Sequence, residues 1–167
     1  MHPRSLIPSA AAAACAALLS GCGSTSVANS SRLEAVVRDN HLVAVAYRTD
    51  AKAQGACFRK LRRGEITTDA DAAKCLSDGI TRAHLEASIE TFRRQVLDVG
   101  RHGDDDCRRA AERLAAVIAQ EEGYIRASRD DLARLDARGF SDDGMRAGET
   151  AAREADPSAA LLQACTG

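Results

Sequence analysis

Apolar positions recur at helical intervals in four stretches of the chain. The third is the clearest. Cys107, Ala111, Leu114, Ile118, Glu121, Ile125, Ser128, Leu132 and Leu135 follow one another by four and three residues in alternation. That spacing is the seam of a helix packed along a neighbour. Asp104 to Asp106 stand at its head, where carboxylates complement unpaired backbone N–H groups, and Gly139 marks its expected end. The first stretch opens on Ser31-Arg32-Leu33-Glu34, a capping box, and carries Leu33, Val36, Val37, Val43, Tyr47, Phe58 and Leu61 at roughly helical spacing. Gly64 should stop it after Lys60, Arg62 and Arg63, while Asp50 and Gly55 weaken its middle.

The second stretch begins after Thr68, with Asp69 and Asp71 near its positive end. It runs through Leu85, Ile89, Phe92, Val96 and Val99 to Gly100. The fourth starts at Ser141-Asp142-Asp143 and is weakened by Gly144, Gly148 and Pro157. A break is expected near Asp156-Pro157, with a last short turn through Leu161, Leu162 and Cys165. No run of convincing length has the two-residue period of a strand. The pattern predicts an all-α fold, an antiparallel up-down bundle of about four helices joined by short loops.

The N-terminus is of a different kind. Arg4 is followed by a nearly uncharged, alanine-rich run from Leu6 to Leu19, and Ser20 and Gly21 then precede Cys22. A basic start, a short apolar core and a small-residue cleavage site have the order of a secretory signal. The final four residues, Leu19-Ser20-Gly21-Cys22, resemble the lipobox of bacterial lipoproteins; the resemblance covers only residues 1–22. It implies cleavage before Cys22, a diacylglycerol thioether on that cysteine and acylation of the new amino terminus. Two or more acyl chains hold a protein stably on a membrane, whereas one does not. Gly23 is not the aspartate associated with inner-membrane retention, so the resemblance implies the outer membrane, facing the periplasm. The expected organisation is a signal peptide (1–21), the lipidated cysteine and a flexible tether (22–31), and a helical domain (32–167). A tether of this kind spans roughly 17 Å, which keeps the domain close to the membrane.

Export changes how the cysteines are read. Of the six, Cys15 and Cys22 belong to the leader, leaving Cys57, Cys75, Cys107 and Cys165. In an oxidising compartment an even number reads as disulfides, and no C-x-x-C suggests a zinc or redox motif. Four cysteines allow three pairings. Cys57 and Cys75 flank the first loop almost symmetrically, while Cys107 opens the third helix and Cys165 closes the fourth. An up-down bundle therefore predicts Cys57–Cys75 and Cys107–Cys165.

Composition excludes more than it suggests. The formal net charge is −1, and loss of Arg4 makes it −2, which gives no argument for nucleic acid. Five aromatics and no tryptophan weigh against a glycan-binding surface. Among candidate sites, His102 to Asp106 could hold a divalent metal, or its aspartates could simply cap the third helix. The alternating ligands of an EF-hand are missing, which favours the cap. Ser141 to Gly144 reads as a helix start. Glu121 falls on the third seam where an apolar residue belongs, and Asn40 stands similarly in the first helix. Glu121 is expected either to pair with an arginine of a neighbouring helix, Arg93 or Arg94, or to lie at a loosely packed, exposed end of the seam. His84 lies off the apolar stripe and should be exposed. No catalytic motif, Glu-x-x-His pair or phosphate loop occurs, so no catalytic residue, metal ligand or cofactor is expected. These features point to a membrane-tethered, non-catalytic binding or assembly protein with an envelope-protein partner, of the immunity type or an accessory of secretion or the cell wall. The alternative is a small metal-binding sensor or enzyme using Glu121 or the His102–Asp106 cluster.

Overall fold

The computed structural model of the chain describes residues 27–77 and 80–166. Cys22 and the leader lie outside the described residues. Within them the fold is an all-α up-down bundle of six helices: α1 (Val27–Arg62), α2 (Asp69–Leu76), α3 (Ile80–His102), α4 (Asp105–Ala133), α5 (Ala137–Ala152) and α6 (Ala155–Thr166). The expected second and fourth arms are each divided in two. α2 ends at Leu76 with Ser77 as its C-cap, where the sequence Ser77-Asp78-Gly79 is rich in turn formers. α5 and α6 separate at Arg153–Glu154, three residues ahead of the expected break. Arg153 and Glu154 close α5 with tight N–H bonds to the carbonyls of Thr150 and Ala151. Pro157 then falls in the first turn of α6, where its missing N–H costs nothing.

α4 is the central helix and packs on α3, α5 and α6, while α1 packs on α3. Its seam is buried from Cys107 to Leu132. Leu85, Ile89, Phe92, Val96 and Val99 of α3 meet it, all of them 1% exposed or less. Near the top of the α3–α4 pair the two backbones come very close. A Cβ on Gly100 would lie 2.6 Å from Cβ of Ala111, so Gly100 is a packing glycine inside α3, and the helix runs two residues past the stop expected there. A rim of ion pairs follows the same junction: Arg93–Glu122 at 3.1 Å, Arg126–Glu122 at 2.6 Å, and Arg126 and Arg129 on Glu86 at 3.0 and 2.6 Å.

The helix ends show which local signals prevailed. At Gly64, in the left-handed conformation, the Glu65 N–H bonds the carbonyl of Lys60 and the Gly64 N–H that of Leu61, a Schellman motif at the expected stop. α4 ends in the same motif, but the left-handed position is held by Leu135 (φ 60°). Its N–H bonds Leu132 and that of Asp136 bonds Asp131. The stop expected at Gly139 is thus reached four residues early, and Gly139 lies inside α5, which is capped by Asp136 and not by Ser141. α1 begins at Val27, so Ser31 stands inside the helix and residues 27–31, read as tether, are helical. Once a helix exists, each further residue adds a bond for little cost, and a capping box four residues in does not stop it.

Both bridges have the expected partners. Cys57–Cys75 ties α1 to α2, and Cys107–Cys165 ties the start of α4 to the end of α6 across 58 residues of sequence.

Candidate functional site

The His102–Asp106 cluster is the cap of α4. Asp104 accepts the Cys107 N–H at 2.8 Å. Asp105 pairs with Arg108 at 2.7 Å and Asp106 with Arg109. His102 contacts the carbonyl of Asp98 at 2.8 Å. Each side chain is turned to its own helix or to solvent, and they do not converge. Among the described residues, no group of three or more His, Cys, Asp or Glu is placed to hold a metal ion. Asn40 and His84 are both exposed; the buried acid of that turn of α1 is Asp39, which is paired with Arg38 at 3.3 Å. Helical phase explains the shift: Asp39 continues the core face of Val36 and Val43, and Asn40 is rotated off it.

Glu121 is buried, at 1% exposure, but not beside an arginine. Arg93 bonds the next residue, Glu122, and Arg94 pairs with Glu90. Glu121 instead accepts a hydrogen bond from the Tyr47 hydroxyl of α1 through Oε1 and faces Glu154, at the α5–α6 junction, which is 8% exposed. Oε2 of Glu121 and Oε1 of Glu154 have no other partner. Two acceptors facing each other away from water hold together only if one carries a proton. Burial first, then the hydrogen bond and charge of Glu121, push the Glu154 carboxyl up to about 10. Burial raises Glu121 as well, opposed by the hydrogen bonds from Glu154 and Tyr47. Burial and the Glu121 charge raise the Tyr47 phenol far beyond its ordinary value. The result is a carboxyl pair that holds at least one proton beside a neutral phenol, joining α1, α4 and the α5–α6 junction.

The same tyrosine borders the second feature, a groove of about 480 Å³ between α1 and α5. On the α1 side Tyr47, Ala51, Gln54 and Phe58 follow one another by four, three and four residues. On the α5 side Ser141, Gly144, Met145 and Gly148 face them, and Ile125 of α4 lies on the floor. Phe58 is 47% exposed and Met145 59%. A Cβ on Gly148 would meet nothing within 4 Å, and one on Gly144 would come only to 3.9 Å from the Ser128 hydroxyl. The fold therefore does not require either glycine, although each weakens a helix by about 1 kcal/mol relative to alanine. Sequence reasoning read Ser141 to Gly144 as a helix start and the glycines only as breakers. The signal it missed was Gly144 and Gly148 one turn apart beside Met145, a smooth stripe on a helix that forms in spite of them. No protein-family model, curated protein or solved structure matches the chain.

Proposed function

We propose that this protein is a lipid-anchored bacterial envelope lipoprotein, held at the outer membrane and facing the periplasm, that binds a helix of another envelope protein in the groove between α1 and α5. It acts as a binding or assembly module and not as a catalyst. The groove carries the reading. The α1 stripe has the spacing of a helix–helix seam; Tyr47 at one end is bonded to Glu121 of α4, while Ala51 and Phe58 stay exposed, and the facing side of α5 is made smooth by glycines the fold does not need. The Leu19–Cys22 match supports the anchor, and two disulfides suit an oxidising compartment. No helix among the described residues is long and apolar enough to cross a membrane.

Two experiments test the two halves. Metabolic labelling with a fatty-acid probe should mark the wild type and not Cys22→Ser; equal labelling would remove the anchor from the reading. A photo-crosslinking residue at Phe58 or Met145, in the full-length protein in the cells that make it, should trap one dominant protein. The same probe at Arg109, on the far end of α4, should not. Equal trapping from both places would sink the groove as the binding surface.

A further inference from the structure

Resting on the anchor half of that reading, we infer that the outer face of α1 lies flat on the anionic lipid surface that carries the anchor. Charge is divided unevenly along the chain. From Val27 to Arg63 there are eight lysines and arginines against three acids, and from Gly64 to Gly167 fourteen against twenty-one. Two of the three acids of α1, Asp39 and Asp50, are buried, so the helix shows solvent a basic surface. The arginines of the α3–α4 rim are met by Glu86 and Glu122. Those of α1 differ: among the described residues, no acid pairs with Arg48, Lys52, Arg59, Lys60 or Arg62. Val37, Leu42 and Val45 stand exposed on the same helix, nearer its start. Val37, Val45, Arg48, Lys52 and Arg59 fall within about 80° of one another around the helix axis, turned away from the core face of Val36 and Val43. On a membrane surface, apolar side chains of such a helix sink below the headgroups, while lysine and arginine stems reach the lipid phosphates. Each basic residue near an anionic surface strengthens attachment about fivefold. Cys22 precedes α1 by five residues, so the anchor holds this face near the surface at high effective concentration. Tyr47, Ala51, Gln54 and Phe58 are rotated about 110° from the face, which leaves the groove open to the side.

The test uses the lipidated protein with a nitroxide on Val45→Cys, reconstituted into vesicles of phosphatidylethanolamine and phosphatidylglycerol, or of phosphatidylcholine alone. A water-soluble nickel chelate should relax the label at Val45 far less on the anionic vesicles than on the neutral ones. The same label at Ala119, exposed on α4, should be relaxed equally on both. Arg48→Gln combined with Lys52→Gln should lower the ratio of docked to undocked α1 about 25-fold, two basic residues at about fivefold each, and leave the melting temperature unchanged. About 0.5 M salt should release the face as well, because screening then acts within a few ångströms. A Val45 label equally accessible on both vesicles overturns this inference and leaves the anchor standing. Equal shielding on both, unmoved by the double variant, overturns the role of charge and with it the anionic surface. Spin–spin broadening between Val45 labels would show a second copy covering the face, and overturns it too. Protein that floats with neither vesicle overturns the anchor and this inference together.

Discussion

The hydroxyl of Tyr47 in α1 donates to the carboxylate of Glu121 in α4, 74 residues away. This bond joins a residue that borders the groove to one sealed in the core. It predicts strong coupling. Glu121→Leu leaves the Tyr47 hydroxyl and the Glu154 carboxyl without their partner, at about 1–3 kcal/mol for a buried polar group so stranded. Tyr47→Phe removes one of those groups. The double variant Tyr47→Phe/Glu121→Leu should therefore cost less than the sum of the singles, by about 0.5–3 kcal/mol in a urea-unfolding cycle. Additive losses would show that the bond contributes nothing.

Glu154 gives the protein an unusual dependence on pH. Unfolded, its carboxyl ionises near the ordinary 4.5; folded, it keeps its proton to about 10. Between these values the folded state binds more protons than the unfolded, so this contribution is fully present below about pH 4.5 and is lost as pH rises toward 10. The groups that face it are Glu121 and, through it, Tyr47. The limiting slope for one proton is about 1.4 kcal/mol per pH unit. Glu154→Gln keeps a donor toward Glu121 and removes the titration. Its unfolding free energy should change less between pH 5 and pH 8 than the wild type's, and it should be the more stable of the two at pH 8. Parallel pH profiles would contradict the shared proton.

How much of this was legible in the sequence depends on how local each signal was. The seam of α4 followed from its four–three spacing as far as Leu132, while Leu135, expected on it, is exposed beyond the helix; both disulfides followed from cysteine positions taken with an antiparallel up-down order of helices. Glu121 stood out as a polar residue on an apolar face. Its partners did not, because a tyrosine of α1 and a glutamate at a helix junction are brought to it only by the tertiary fold. The end of α4 was misplaced for a related reason. Leu135 takes the left-handed position that glycine usually fills, its φ of 60° tolerated by the Schellman bonds to Leu132 and Asp131. The groove was hidden because glycine within a helical pattern reads as a breaker until the open space beside it is seen.

Gly100 and Gly148 should respond to alanine in opposite directions. At Gly148 the new methyl meets nothing, so Gly148→Ala should stabilise α5 by up to about 1 kcal/mol, or about 3–5 °C in melting temperature for a domain of this size. At Gly100 the methyl would press on Ala111, and overpacking of this kind costs about 1–3 kcal/mol. Thermal melts of the two variants check both. A loss at Gly148 would mean that the fold itself needs that glycine, and would withdraw the main support for an occupant in the groove.

The two disulfides should differ in what their removal costs. In the chain-entropy description a bridge stabilises by shrinking the unfolded ensemble, and the effect grows with the loop it closes. Cys57–Cys75 closes 18 residues and Cys107–Cys165 closes 58, which corresponds to about 3 and about 4 kcal/mol. The longer bridge also fixes α6 to the head of the central helix, and α6 carries Leu161, fully buried in the main core. Paired Cys→Ser variants at 107 and 165 should therefore lower the unfolding free energy more than those at 57 and 75. Loss of the longer bridge should also speed hydrogen exchange through α6, while loss of the shorter one affects α2. Non-reducing peptide maps of the wild type should show these two links and no other. Equal destabilisation by the two pairs would mean that native packing, and not loop length, sets their contribution. Faster exchange in α2 after breaking Cys107–Cys165 would mean that the two ends of the bundle do not open independently.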